Sequence, residues 1–436
     1  MFAKDQIRQR IHAQQTTFLT DLRQLIRISS VKSQPQTHAP FGIGPRQILD
    51  KIVTLAHQYG FTAQVVNDAV AYVQWGADPR NYQAIVGHLD VVAAGDHWTS
   101  APFELTQVQQ MLYGRGVLDN KGPSFACLYG MKILKELGVQ PKRTIRLLFG
   151  SNEESGSHDI ARYLAQEAAP SFGFTPDCKF PVVYGERGIV NYQITTDFAG
   201  ADLQPLSTIS GNQASDHVPD ELQVQVNGQL LTIHGQRSPS NAPELGQNAI
   251  TYLAKRINDQ QLVTGALADY FQWLERSFHE KHFGQGLGLT LEDAASGKLI
   301  QTPYSLQKQS QNLILKVAMR YPVSYTEQQV TAGLKKVVPP NSQVQVIRSL
   351  PSVLHDPTDP RVSQLSQIYQ QVTGLDATPV TTTGATYARV MPNIVAFGPS
   401  FPGQKGIAHR QDEWMKLSDL LTMMEIYTQA IYTMTR

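Results

Sequence analysis

The sequence predicts an α/β fold: a discontinuous domain with a mixed sheet flanked by helices, plus an inserted α+β domain. Short apolar strands alternate with helical patterns over residues 1–187. Between residues 188 and 350 the pattern changes to alternating strands with helical stretches, and over 351–436 it returns to helix, strand and helix. The predicted boundaries therefore assign residues 1–187 and 351–436 to the divided domain and residues 188–350 to the insert.

The N-terminal part is predicted to begin with helices. Apolar residues from Ile7 to Ile26 recur at helical intervals, and a second helix covers roughly residues 45–59. The predicted strands that follow are 70–74, 82–86 and 144–149, with a helix near 123–137. Because the last two strands run directly into polar segments, a ligand site is expected at their carboxyl ends.

The insert and the tail complete the predicted elements. Strand patterns cover 190–196 and 222–233, helical patterns cover 244–258 and 269–279, and the tail contains a helix at 360–373, a strand at 393–398 and a closing helix from about Lys416. A loop rich in proline and glycine precedes the closing helix and carries His409. That loop must return to the first domain if His409 acts together with residues there.

Composition limits the function classes. The formal net charge is +1, no basic block occurs, and no apolar run approaches the roughly 18 residues of a membrane helix, so neither nucleic acid nor membrane is an expected partner. Residues 1–6 are too polar for a signal peptide, and only two cysteines occur, Cys127 and Cys178. We expect a cytoplasmic protein that acts on a small substrate.

Five separate segments carry side chains of the types that bind divalent cations. His88 and Asp90 follow a strand two residues apart, so both point the same way and Asp90 can orient the imidazole. Taken singly, each segment has an ordinary structural explanation, such as a strand end, a helix N-terminus or a solvated acidic loop. The five candidate metal ligands are His88, Asp119, Glu154, Asp177 and His409.

Two imidazoles with several carboxylates suit a pair of divalent cations, since one carboxylate can bridge two ions. Asp119 lies in a glycine-rich turn, residues 114–122, that can fold closely around such a carboxylate. The consecutive Glu153 and Glu154 would repel each other unless a cation or a proton intervened. The combination indicates a two-metal hydrolase.

These motifs resemble the zinc-dependent aminoacylase, carboxypeptidase G and ArgE-DapE metallopeptidase superfamily, and most closely its PepV-like dipeptidases of lactic acid bacteria. The similarity spans nearly the whole chain. The stretches that carry it are residues 87–92, 114–123, 151–156, 176–177 with 180–181, 386–389, 395–398, 401–403 and 408–409.

The resemblance implies a catalytic role for the divided domain and a lid role for the insert. It makes His88, Asp119 and Asp177 the ligands of one Zn²⁺, and Asp119, Glu154 and His409 the ligands of a second, with Mn²⁺ or Co²⁺ as substitutes. It also implies that Glu153 is the general base toward a metal-bridged water, and that a cis peptide bond joins Asp119 to Asn120.

The resemblance further implies substrate contacts. In the insert, His234 would polarise the scissile carbonyl and Arg320 would bind the substrate carboxylate, while Arg389 matches a substrate-facing loop. For His234 the alternative is an uninvolved surface histidine, and for both arginines it is a structural salt bridge. Asp216 stands where relatives often carry asparagine, so an acid there would change substrate preference.

We therefore expect a metal-dependent dipeptidase that cleaves free dipeptides and short peptides, acting as a monomer, with a homodimer as the alternative. The first rival is an N-acyl amino acid or succinyl-diaminopimelate deacylase on the same metal site. The second rival is a catalytically silent binding protein of the same fold. Activity on free but not N-acetylated dipeptides would separate these functions.

Overall fold

The computed structural model describes residues 4–436, so the first three residues of the polar N-terminal stretch lie outside the described residues. The chain divides into two compact units. Among the described residues, unit 1 comprises 4–184, 355–380 and 385–436, and unit 2 comprises 185–354 and 381–384. No helix within residues 4–436 has both the length and the apolar character needed to cross a membrane.

The helices have the following bounds in chain order: α1 (Lys4–Ala13), α2 (Gln15–Ile26), α3 (Ile43–Gln58), α4 (Lys121–Glu136), α5 (His158–Leu164), α6 (Ala249–Asp259), α7 (Gly265–Phe278), α8 (Glu327–Lys335), α9 (Pro360–Thr373) and α10 (Leu417–Met434). Short 3-10 turns lie at Glu153–Ser155, Pro243–Leu245, Gln285–Leu287 and Tyr387–Arg389.

The strands have these bounds: β1 (Thr62–Val66), β2 (Val70–Trp75), β3 (Tyr82–His88), β4 (Thr106–Val108), β5 (Met111–Tyr113), β6 (Thr144–Gly150), β7 (Phe172–Thr175), β8 (Cys178–Lys179), β9 (Val182–Glu186), β10 (Gly188–Asp197), β11 (Ser210–Gly211), β12 (Glu221–Val226), β13 (Gln229–His234), β14 (Glu292–Asp293), β15 (Gly297–Lys298), β16 (Ile300–Lys308), β17 (Asn312–Tyr321), β18 (Ser342–Leu350), β19 (Val353–Leu354), β20 (Val380–Thr382), β21 (Ile394–Phe397), β22 (Pro399–Ser400) and β23 (Trp414–Lys416).

The predicted α/β class with a mixed sheet is confirmed in unit 1. Its main sheet has the order β1-β2-β6-β3-β7-β21-β9. The strands β6, β3, β7 and β21 are parallel, whereas β1, β2 and β9 join antiparallel. Every residue of β3 and β6 is buried, as expected for central strands covered by helices on both faces.

The helices of unit 1 bury apolar stripes against this sheet. In α2, Phe18, Leu22 and Leu25 recur at helical spacing and are all fully buried. α4 packs along α10, and most of the residues of both helices are buried. α4 begins at Lys121, two residues after Asp119.

Unit 2 is built from antiparallel strands and helices, in agreement with the predicted α+β class. One sheet has the order β16-β17-β10-β18, and a second has the order β11-β12-β13. α6, α7 and α8 contribute buried apolar residues to the core of this unit.

Some predicted elements differ in detail. The helical pattern from Ile7 to Ile26 is interrupted at Gln14, and the strand pattern at 222–233 is a hairpin, β12 and β13. Its turn is Asn227-Gly228, and both residues have positive φ values, 50° and 79°. Such a pair favours a tight two-residue turn, so the sequence contained a signal for the hairpin.

Candidate metal centre

Three of the predicted ligand segments meet because they follow parallel neighbouring strands. His88 ends β3, the Glu153–Ser155 turn follows β6, and Asp177 comes two residues after β7. Parallel strands have their carboxyl ends at one edge of the sheet, which is where open α/β sheets bind ligands. The topology therefore converts positions far apart in sequence into one cluster.

The other two predicted ligands come from loops. Asp119 precedes α4, and its peptide bond to Asn120 is cis, as expected. His409 lies in the loop between β22 and β23 with a φ of 63°. The Nε2 atom of His409 is 3.1 Å from Asp119 Oδ2 and 2.9 Å from Glu154 Oε2. Both loops thus bring their side chains to the edge reached by β3, β6 and β7.

The carboxylate of Asp119 lies between two imidazoles. Its Oδ1 is 3.0 Å from His88 Nε2, while its Oδ2 faces His409. The same His88 nitrogen is 3.5 Å from Asp177 Oδ2. Ligand atoms placed at about 2.0–2.1 Å from one tetrahedral cation lie roughly 3.3 Å apart, so these separations fit shared cations.

The glutamates complete the cluster. Potential ligand atoms of His88, Glu153 and Asp177 lie within 4.8 Å of one another, and so do those of His88, Asp119 and Glu154. The Oε1 atom of Glu154 is buried and has no hydrogen-bond partner among the described residues. A buried carboxylate oxygen without a donor is costly, and a bound cation would satisfy it. The residues present therefore fit a divalent metal centre.

The electrostatics of the imidazoles show how strongly the cluster attracts positive charge. Burial by itself would lower the pKa of His88, but the nearby carboxylates of Asp177 and Asp119 outweigh burial and raise this pKa well above its ordinary value. Hydrogen bonds to Asp119 and Glu154 raise the pKa of His409 to about 11. The carboxylates around both imidazoles therefore favour positive charge at this position.

The pKa values of the carboxylates are shifted in opposite directions. Burial opposes ionisation of Asp119, but hydrogen bonds from His409 and His88 prevail and lower its pKa below the usual range. Burial followed by the charge of Asp119 raises the pKa of Glu154 to about 7, and burial raises that of Asp177 to about 6. Burial and then Asp177 raise the pKa of Glu153 well above its ordinary value. Such displaced pKa values are typical of functional sites.

Asp90 supports the cluster through atoms that differ from those expected. The His88 Nδ1 atom is 2.9 Å from the backbone carbonyl of Asp90, whereas the Asp90 carboxylate is 3.5 Å away. A carbonyl only accepts, so Nδ1 carries the proton and Nε2 faces the centre. The Asp90 carboxylate instead accepts the backbone N–H groups of Glu153 at 3.1 Å and Glu154 at 3.2 Å. Asp90 therefore orients both the imidazole and the glutamate turn.

A second buried carboxylate, not found from the sequence, holds the start of the same turn. Asp159 accepts the N–H groups of Ser151 at 2.7 Å and Asn152 at 2.9 Å, and Tyr387 donates its hydroxyl to it. The Tyr387 ring packs edge-on to His88, with 6.3 Å between the ring centroids. Asp159 lies within the short helix α5 and in no recognisable motif, so no sequence signal pointed to this role.

The predicted substrate residues are distributed over both units. Arg389 ends the 3-10 turn that carries Tyr387 in unit 1, whereas the other three lie in unit 2. His234 ends β13 and is exposed.

The other two residues of unit 2 already have partners within that unit. Arg320, in β17, donates from Nη1 to the carbonyl of Thr383 at 2.8 Å. The Asp216 carboxylate contacts Nδ1 of the adjacent His217 at 2.7 Å. Their roles toward a substrate stay predictions.

Comparison with known proteins agrees with this geometry. Residues 84–433 match the family model described as peptidase family M20/M25/M40. A protein of Staphylococcus haemolyticus, provisionally named a dipeptidase, is 28% identical over 465 aligned residues that cover 98% of this chain and 99% of that protein.

Two solved structures have a similar fold. Human carnosine dipeptidase 1 matches with a TM-score of 0.60 and 16% identity, covering 99% of this chain and all of that one. A di-peptidase from Saccharomyces cerevisiae matches with a TM-score of 0.62 and 15% identity, covering 99% of this chain and 98% of that one. The family match spans most of the chain, including every residue of the proposed metal centre, and the chain is therefore a member of peptidase family M20/M25/M40.

Proposed function

We propose that this chain is a dinuclear zinc dipeptidase that hydrolyses the peptide bond of free dipeptides and short peptides. The observation that carries the proposal is the position of Asp119, whose two carboxylate oxygens face two different imidazoles. One carboxylate shared in this way is suited to bridging two cations. The relatives named as dipeptidases support the choice of substrate class.

The proposed ligand sets follow from these contacts. His88, Asp119 and Asp177 would hold one cation, and Asp119, Glu154 and His409 would hold the other. The mixed nitrogen and oxygen donors suit Zn²⁺, with Mn²⁺ or Co²⁺ as substitutes. When bound, the cations would supply Lewis acidity, polarising the scissile carbonyl and making water more acidic.

Glu153 is proposed to move the proton. It lies beside His88 and Asp177 and has no assigned place in either ligand set. Its carboxylate would take a proton from the attacking water and pass it to the departing amine. The positive charge of the bound cations would keep the Glu153 carboxylate ionised despite its burial.

The remaining assignments rest on the family resemblance. Arg320 and Arg389 are proposed to bind the substrate, with Asp216 modifying its preference, and His234 is proposed to polarise the carbonyl. The insert is proposed to act as a lid, and the chain to act as a cytoplasmic monomer on small peptides. Substitution of each of the two arginines by glutamine should raise KM more than it lowers kcat if they bind the substrate in the ground state.

The test is hydrolysis of free and N-acetylated dipeptides by protein reconstituted with Zn²⁺, Mn²⁺ or Co²⁺. Glu153→Gln should bind two cations per chain yet lose about 10²- to 10⁴-fold in kcat, the usual contribution of general acid–base catalysis. Glu104→Gln is the matched control, because Glu104 pairs with Arg27 at the surface. Cleavage of acetylated substrates alone would establish the deacylase function, and no turnover with any metal would favour a binding protein.

A further inference from the structure

We propose that Glu413 is a positioning residue for the metal centre: its buried carboxylate holds the Asp119 loop, residues 114–119, in its metal-binding conformation before any cation arrives. The inference rests on the proposed function, since it assigns a role toward the cations that Asp119 would share. It concerns a side chain that lies outside both proposed ligand sets.

The contacts of Glu413 are unusually many for one side chain. Its Oε1 accepts the backbone N–H groups of Leu118 at 2.9 Å, Asp119 at 3.0 Å and Gly116 at 3.1 Å. Its Oε2 accepts Nη1 of Arg115 at 2.8 Å, and the Gly116 N–H is also within 3.1 Å of it. Glu413 is completely buried, so water does not compete for these bonds. One of the donors is the backbone of Asp119 itself.

The Asp119 loop is shaped to surround an anion. Gly116 has a φ of 90°, a conformation that side chains other than glycine rarely adopt. Successive N–H groups directed to one side of such a turn form a concave anion-binding site. Here the chain's own carboxylate occupies that concavity, so it is placed to hold the loop in this shape without a bound ligand.

Glu413 also joins the two loops that supply the second proposed cation position. It lies four residues after His409, and its own carbonyl accepts the backbone N–H of Gly114 at 3.1 Å. The adjacent Trp414 pairs with Tyr113 in the antiparallel β23–β5 ladder. The segment that carries His409 is thus fixed against the segment that carries Asp119 through both backbone and carboxylate. Glu413 therefore sets the separation of two ligands whose side chains meet at 3.1 Å.

The informative variant is Glu413→Gln, which preserves volume but replaces one acceptor oxygen with an NH₂ donor. Every partner of the carboxylate is a donor, so the new NH₂ group must face donors whichever way the amide turns. Glu425→Gln is the matched control. Glu425 is also buried, on α10, where its carboxylate accepts bonds from Arg8 at 2.9 Å and from Gln429 at 3.1 Å, away from the Asp119 loop.

Co²⁺ would be titrated into the metal-free wild type, Glu413→Gln and Glu425→Gln. The titrations would be followed by visible absorption, and calorimetry would give the number of ions bound per chain. We expect Glu413→Gln to bind cation about 10- to 100-fold more weakly than wild type, as for other residues that support metal ligands, and to show altered Co²⁺ spectra. Glu425→Gln should match wild type in both. Wild-type affinity and spectra in Glu413→Gln would overturn the inference.

A measurement on the wild type covers the case in which Glu413→Gln does not fold. Hydrogen exchange of the metal-free protein should show the amides of Gly116, Leu118 and Asp119 already protected. Fast exchange there, slowed only by added metal, would mean that the cation orders the loop, and would refute the inference. If wild type binds a single cation, the dinuclear function fails, while the ratio of wild-type to variant affinity still decides the role of Glu413.

Discussion

Replacing Asp90 with asparagine tests how the metal centre is supported. The Asp90 backbone carbonyl contacts His88, and its carboxylate accepts the N–H groups of Glu153 and Glu154. Asparagine leaves the backbone carbonyl in place. It keeps one side-chain acceptor but turns the other into an NH₂ group that faces an N–H. Asp90→Asn should therefore loosen the glutamate turn without releasing the imidazole.

The magnitude follows from the bonds lost. One hydrogen bond to a charged group contributes about 1.5–3 kcal/mol, and about 1.4 kcal/mol corresponds to a tenfold change in affinity. The affinity for the cation at the position that includes Glu154 should therefore fall by about 10- to 100-fold. The position that includes His88 and Asp177 should stay near its wild-type affinity, because the bond that orients His88 is unchanged.

The assay separates the two positions by using single-position backgrounds. Asp177→Ala removes a proposed ligand from one position, and His409→Ala removes a proposed ligand from the other. Calorimetric Zn²⁺ titration should show that Asp90→Asn weakens binding in the Asp177→Ala background and has little effect in the His409→Ala background. The reverse pattern would refute the reasoning, since it would mean that the Asp90 carboxylate, and not its carbonyl, orients His88. Asp68→Asn is the control, because the Asp68 carboxylate pairs with Arg46 at 2.6 Å and His38 at 3.0 Å, outside the glutamate turn.

Three further predictions concern stability. Burial, followed by the charge of Asp90, raises the pKa of Asp159 to about 6, above its value in the unfolded chain. The contribution of Asp159 to folding stability is therefore present at low pH and is lost as pH rises through about 6. The difference in unfolding free energy between wild type and Asp159→Asn, measured in urea, should therefore shift by about 2 kcal/mol between pH 4 and pH 7. A difference that stays constant over this range would contradict the raised pKa. Gly87→Ala should destabilise the folded protein by about 1–3 kcal/mol, because the added Cβ would lie 1.9 Å from Ser124 Oγ. Adding Ser124→Ala should recover part of this stability. If the effects of the two substitutions on unfolding free energy simply add, the clash is excluded. Chelation of the bound metal should lower the unfolding temperature, because ligand at 100 times its Kd stabilises by about 2.7 kcal/mol, and an unchanged temperature would mean that the centre binds metal weakly.

The sequence predicted much of the fold where the local pattern was strong. The helix at 360–373 is α9, and the strand patterns at 82–86 and 144–149 are β3 and β6 with slightly longer bounds. Local patterns were less informative where a short element depends on distant partners. β7 has only four residues, and it is defined by its pairing with β3 and β21. The sequence likewise gives no signal that residues 381–384 belong to unit 2.

The metal centre also contains residues that the sequence indicated and residues whose roles only the structure revealed. The residue types of His88, Asp119, Glu153 and Glu154, each next to a predicted strand end or a glycine-rich turn, indicated a metal site. Asp177 and His409 completed the predicted set by residue type alone. Their chemistry is local, since a carboxylate or imidazole carries its donor atoms wherever it lies. The roles of Asp159, Tyr387 and Glu413 could not be predicted in this way, because each depends on backbone N–H groups or rings brought close by folding.

By itself the sequence determined which donor atoms the chain possesses and which segments present them, because composition, motif and periodicity are properties of neighbouring residues. Only the tertiary structure decided that the two oxygens of Asp119 face different imidazoles, that the Asp90 carbonyl orients His88, and that Glu413 occupies the Asp119 loop. These arrangements depend on the parallel order of β6, β3 and β7 and on the pairing of β23 with β5. Bond directions and distances between remote segments are fixed by packing, and packing involves the whole chain at once.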